Sequence, residues 1–178
     1  MAVREIFGFD HPVLRQKAKK VPKVDASIVK LIDDMTETML AAPGAGLAAN
    51  QIGVALRVFV VKGEESVIHG LVNPEIVKAE GSQVGYEGCL SYPGWIGEVE
   101  RNEIVVVKGR NRHGREVRIK ASGFTARAFQ HEMDHLDGVL FIDRLTDLKT
   151  LQRVEDLEDE DGDPDQVEAP VERAAARA

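Results

Sequence analysis

Cysteine is nearly absent: Cys89 is the only one in 178 residues. No disulfide can form within the chain, which excludes a disulfide-stapled secreted scaffold. Long apolar runs are missing as well. The longest purely aliphatic or aromatic stretches, Val58–Val61 and Ile104–Val107, hold four residues each. A membrane-spanning helix needs about 20. Met1–Lys20 has no apolar core of the kind a secretory signal carries, so the sequence reads as a cytoplasmic protein with no membrane partner. There is no surplus of positive charge. The net charge of −7 argues against DNA or RNA held by a basic field. Internal repeats are also absent.

What is present fits a soluble globular protein. Hydrophobic residues make up 43% and charged residues 30%. A chain of this length can bury a real core in one domain. The 30 acids and 23 bases divide unevenly: ten acids and three bases fall in residues 153–178, leaving twenty of each before them. The net charge therefore belongs to the tail. After Leu157 that tail has few apolar residues and contains Gly162, Pro164 and Pro170. Such a composition cannot offset its own ordering entropy, so a disordered, solubilising tail over 153–178 is expected behind a domain spanning 1–152.

Val24–Ala42 reads as a helix, with Ile28, Leu31, Ile32, Met35 and Met39 at helical spacing and Asp25 as N-cap. Pro43 and Gly44 stop it. Gly44–Gly53, rich in glycine and small residues, reads as a close-approach loop or strand. Leu56–Lys62 and Ile68–Val77 read as strands, with an edge or bend at Val72-Asn73-Pro74. Ile104–Lys108 and Glu116–Lys120 form a hairpin about Asn111-Arg112-His113-Gly114. Phe124–Leu136 is a second helix, and Thr146–Leu157 a third on the spacing of Leu148, Leu151 and Val154. Strands and helices are segregated, so the fold class is α+β. Antiparallel or mixed sheets should surround a central helix, with one helix near each end of the domain.

The strongest chemical signal lies on the second helix: His131-Glu132-Met133-Asp134-His135. Positions i and i+4 share a helix face about 6 Å apart along the axis, so two imidazoles can grip one metal ion. Glu132 can reach a water there without being a ligand. Phe124, Ala128, Phe129 and Leu136 flank the motif and suggest burial, which an unpaired histidine pair would resist. A catalytic site needs a third protein ligand and an open position. One metalloprotease class places a third histidine six residues after the second, but Phe141 stands there. Another uses a glutamate about 20 residues on, where Glu155 opens the acidic tail. Cys89 is the third option, since a thiolate is a strong soft ligand.

Three segments together carry a resemblance. Gly44-Ala45-Gly46-Leu47-Ala48-Ala49-Asn50-Gln51, Glu87-Gly88-Cys89-Leu90-Ser91 and Gln130-His131-Glu132-Met133-Asp134-His135-Leu136 resemble the three signature motifs of peptide deformylases, in that family's order. The likeness spans roughly residues 1 to 150 and includes Leu140-Phe141-Ile142-Asp143-Arg144-Leu145. It implies a metal-dependent hydrolase that removes the formyl group from the N-terminal formyl-methionine of new polypeptides, releasing formate. It implies that Cys89, His131 and His135 bind one divalent ion, Fe2+ foremost, with Zn2+, Ni2+ or Co2+ as substitutes. Glu132 would be general base and then acid. The Gln51 side-chain amide and the Leu90 backbone N–H would donate to the oxyanion. Gly44 and Gly46 would let the backbone approach the peptide, and Phe124 and Ala128 would line the methionine pocket. Tyr86, Tyr92 and Trp95 are candidates for its rim, with a Glu87–Arg101 ion pair behind the site. Ala45 stands where the family suggests a bulkier aliphatic residue. The rival reading is a metalloprotease cleaving internal peptide bonds through His131, His135 and Glu155. Nascent formyl-methionyl chains are the expected partners. The acidic tail argues for only weak ribosome association, because rRNA phosphates repel it.

Overall fold

The computed structural model describes residues 2–156. The first helix, α1 (Ala26–Ala41), starts where the Asp25 carboxylate accepts from the backbone N–H groups of Ser27 (2.9 Å) and Ile28 (3.2 Å). Its stripe of Ile28, Leu31, Ile32, Met35 and Met39 is buried. The Gly44 N–H closes the other end on the Met39 carbonyl at 2.9 Å.

Among the described residues the strands form two sheets. The larger is antiparallel and ordered β1 (Gly46–Ala48), β2 (Val58–Lys62), β3 (Ile68–Glu80), β6 (Ile104–Arg110) and β7 (Glu116–Ser122). The smaller joins β4 (Gln83–Cys89), β5 (Tyr92–Arg101) and β8 (Gln152–Arg153). A strand's side chains alternate between faces, and β2 uses both. Val58 and Val60 pack in the cluster that contains the α1 stripe. Phe59 and Val61 pack in the cluster with Phe129 and Leu136 of the second helix, α2 (Gly123–Leu136). Burying a side chain such as Phe59 contributes roughly 1.5–3 kcal/mol. Helix α2 ends at Gly138, whose φ of +76° suits glycine and whose added Cβ would lie 2.7 Å from the Arg15 carbonyl oxygen.

The expected bend in β3 is present. The pairing with β6 slips between Val72 and Glu75, and Asn73 has φ of +51°. The Asn73 amide fixes the bend by bonding both the N–H and the C=O of Val21, each at 2.8 Å. The strand is interior to the sheet order, so the feature is a bend and not an edge.

The expected helix over Thr146–Leu157 is not found across residues 146–153. A short 3-10 turn, Leu148–Thr150, leads into β8. The spacing of Leu148, Leu151 and Val154 is helical, but Leu148 is 77% exposed. The edge of β5 competes for this segment and wins. The N–H of Glu98 donates to Thr150 Oγ1 (3.1 Å), the N–H of Thr146 donates to the Glu98 carbonyl (3.0 Å), and Gln152 and Arg153 pair with Ile96 and Trp95. Residues 154–156 are helical. The expected tail boundary thus falls inside β8: residues 153–156 of the expected disordered tail have regular structure, and the rest of it, 157–178, lies outside the described residues. No helix among the described residues is long and apolar enough to cross a membrane.

Candidate active site

Three parts of the chain converge on one cavity of about 330 Å³. The segment through β1 brings Gly44, Gly46 and Gln51. The β4–β5 turn brings Cys89 and Leu90, and α2 brings Phe124, Ala128, His131 and Glu132. His135 lies beneath, 1% exposed. Tyr86, Tyr92 and Trp95 also line the cavity, as does Val154 just after β8.

One ligand atom each from Cys89, His131 and His135 lies within 4.8 Å of the others. Cys89 Sγ is 3.2 Å from His135 Nε2. A sulfur and two imidazoles crowded this closely, two of them buried, make a donor set suited to a divalent transition metal. The His131 Nδ1 atom faces Glu87 Oε2 at 2.9 Å. With the proton on Nδ1, the Nε2 lone pair is left for a ligand bond. The protease alternative finds no support here: Glu155 is exposed, pairs with Arg153, and is not among the converging donors. Phe141, at the position a third histidine would occupy, is buried with its ring stacked 6.4 Å from that of His131.

Glu132 is 3% exposed, and its Oε2 atom has no hydrogen-bond partner. Burial pushes its carboxyl up to about 7, opposed by nearby His131 and Arg101 and reinforced by Glu87 and Asp134. Burial alone would lower His131, yet the contacts to Cys89 and Glu87 hold it well above the usual histidine range. His135 is held well below that range, chiefly by burial and then by His131. Burial would raise Glu87, but hydrogen bonds from Arg101 and His131 reverse the shift and hold it far below the carboxylate range.

Gln51 is fully fixed. Its Oε1 accepts from the Ala48 N–H (2.8 Å), while Nε2 donates to Ser91 Oγ (3.2 Å) and approaches Cys89 Sγ (3.6 Å). The two glycines serve close contacts within the protein. A Cβ on Gly46 would lie 2.8 Å from Glu132 Cδ, and one on Gly44 would lie 2.7 Å from Leu90 Cδ1. Sequence reasoning ascribed them to peptide approach and did not see these neighbours.

Behind the site stands a buried ionic layer. Glu87 accepts from Arg101 Nε (2.8 Å) and Nη2 (2.9 Å) and from Arg127 Nη1 (2.9 Å). Asp134 accepts from Arg101 Nη1 (2.5 Å) and Arg144 Nη2 (2.8 Å). The Glu87–Arg101 pair was legible from the motif likeness. The parts of Ser91 and Asp134 were not read, although both stand inside the quoted motifs, and Arg127 gave no signal, because its acceptors lie on β4 and β5, far from it in the sequence.

The comparisons with known proteins agree with this geometry. A family model described as polypeptide deformylase matches residues 3–151. A peptide deformylase of Symbiobacterium thermophilum is 53% identical over 163 residues, covering 90% of this chain and 74% of that protein. One from Thermomicrobium roseum is 51% identical over 168 residues, covering 90% and 96%. The crystal structure of peptide deformylase from Thermotoga maritima superposes with a TM-score of 0.80 at 42% identity, over 83% of this chain and all of that one. With the motifs, the fold and the relatives in accord, this chain belongs to the polypeptide deformylase family.

Proposed function

We propose that Cys89, His131 and His135 hold one divalent metal ion, and that Glu132, Gln51 and Leu90 act beside it in the family's reaction, removal of the N-terminal formyl group from newly made polypeptides. The supporting observation is the crowding of one sulfur and two imidazole nitrogens against a buried carboxyl with an unpartnered oxygen. The donor set suits Fe2+, Zn2+, Ni2+ and Co2+. Fe2+ is proposed on the family likeness.

The ion, when bound, supplies a Lewis acid and lowers the pKa of water towards 7. The protein's own residues do the rest. Glu132 accepts a proton from the attacking water, and the water oxygen adds to the formyl carbon. The Gln51 amide and the Leu90 N–H donate to the oxygen that becomes negative. One such donor is typically worth about 3–4 kcal/mol. Glu132 then delivers its proton to the departing amine, the C–N bond breaks, and formate and a free N-terminus result. Phe124 and Ala128 give the apolar wall for the methionine side chain, and Tyr86, Tyr92 and Trp95 stand at its rim.

Anaerobic purification, with metal analysis and formate release from formyl-methionyl peptides measured on one sample, tests the assignment. Stoichiometric metal with formate release is expected; cleavage of internal peptide bonds without formate would overturn it. Gly46→Ala is expected to lower kcat by about 10–100-fold, since the new methyl would overlap the Glu132 carboxyl group and push it out of place. Metal content should be unchanged, and a kcat within twofold of the parent would refute the close contact as a constraint.

We also propose a cytoplasmic enzyme, with the catalytic domain expected over 1–152 extended through β8 to Val154, which lines the cavity, and an acid-rich tail behind it. Ribosome association is weak, given the acid-rich residues 155–172. Strong, salt-sensitive co-sedimentation lost on neutralising those acids would contradict it.

A further inference from the structure

We propose that Arg127 is a positioning residue: its guanidinium clamps the sheet that carries Cys89 onto the helix that carries His131 and His135. The proposal rests on the metal site proposed above. The halves of that site come from different layers, β4 and α2. Among the described residues, none of the three apolar clusters draws a residue from β4 or β5. Ile96 and Val99 of β5 are buried outside those clusters, and the links between these strands and α2 include buried charge and amide. Gln130 Nε2 donates to the Asn102 carbonyl (2.9 Å), and Arg101 spans Glu87 and Asp134.

Arg127 makes the broadest of these links. Its Nη1 donates to Glu87 Oε1 (2.9 Å) and to the carbonyls of Val99 (2.9 Å) and Gly85 (3.3 Å); its Nη2 donates to the carbonyl of Gln83 (3.2 Å). One side chain, 6% exposed, thus holds the main chains of β4 and β5 and the carboxylate that faces His131. Gly85 leaves room for it, since a Cβ there would lie 3.3 Å from Nη2.

Apolar contact is non-directional. Hydrogen-bonded buried charges are directional, and fixing one arrangement is a better-attested use for them than net stability. A metal site tolerates only about 0.2 Å in its ligand distances. The Arg127 fork therefore fixes where the thiolate sits relative to the imidazoles. Lysine keeps the charge but has one nitrogen and no planar fork, so it cannot reach the Gln83 carbonyl together with the acceptors that Nη1 serves.

The test is Zn2+ affinity of the metal-free chain, measured by chelator competition. Arg127→Lys and Arg127→Met are each made with Cys89 present and in the Cys89→Ala background. With Cys89 present, affinity should fall about 10–100-fold, the range for residues that orient ligands, with lysine nearer the parent. With Cys89→Ala there is no thiolate to place and only the link through Glu87 to His131 remains, so the same substitutions should cost several-fold less affinity. The thiolate-to-metal absorption of the Co2+-loaded Arg127→Lys chain should weaken. Equal losses in both backgrounds would overturn the proposal. So would parental affinity in Arg127→Lys, the variant that keeps the test open if Arg127→Met does not fold. A Cys89→Ala chain that binds Zn2+ as tightly as the parent would instead overturn the metal-site reading.

Discussion

Cys89→Ala is expected to yield a folded chain that neither retains metal nor releases formate. The side chain is small, and it sits at the turn between two strands. Its sulfur meets the Ser91 N–H (3.4 Å), Gln51 Nε2 (3.6 Å) and His135 Nε2 (3.2 Å). Few packing contacts are lost with it, so the melting temperature of the metal-free chain should move little. Metal affinity should fall by more than the ~10–100-fold that changes in a ligand's supporting residues cause. Two histidines at i and i+4 remain, but two neutral donors on one helix hold a divalent ion weakly. Metal analysis after dialysis, beside a formate assay, reads both effects. Undiminished formate release would sink the assignment; a protease built on His131, His135 and an acid would instead cleave internal peptide bonds and be indifferent to the substitution.

Glu132→Gln should lower kcat by about 10²–10⁴-fold while metal content stays at the parent level. The amide has the same shape but accepts no proton at neutral pH. The parent carboxyl is 3% exposed, with one oxygen unpartnered and a pKa raised to about 7 by burial. Such a group destabilises the fold that holds it, so the neutral amide should leave the melting temperature equal or higher. Lost turnover with retained stability separates a chemical role from a structural one. Turnover within fivefold of the parent would remove Glu132 from the mechanism.

The candidate site was largely legible because its chemistry is concentrated in short runs. His131 and His135 announce themselves by helical spacing alone. Gly44, Gly46, Gln51, Leu90, Phe124 and Ala128 were placed by the motif likeness, and all six line the cavity. Helix α1 was legible to within two residues, since Asp25 caps it and its apolar stripe is regular. The strands β4 and β5 were not foreseen. Gly85, Gly88, Pro93, Gly94 and Gly97 interrupt the alternation that marks a strand, and pairing across a turn at Cys89–Tyr92 supplies what local preference lacks. The segment after Arg144 was misjudged for the opposite reason: its local spacing is good, but a free strand edge offered better partners. Arg127 gave no signal of its place between the layers. Three of its four acceptors are main-chain carbonyls, which no pattern of side chains announces.

The separation of the three-stranded sheet from the apolar clusters also bears on how the native state breathes. Amides of β2 and of the first part of β3, through Val72, lie between the two main clusters, so most of them open only when the whole domain unfolds. Amides of β4 and β5 have fewer buried apolar neighbours, Ile96 and Val99 among them, and lean more on hydrogen-bonded charge that water can replace. Hydrogen exchange should divide the molecule along that line, with the Cys89-bearing strands opening as a separate unit at lower free energy than the sheet beside them.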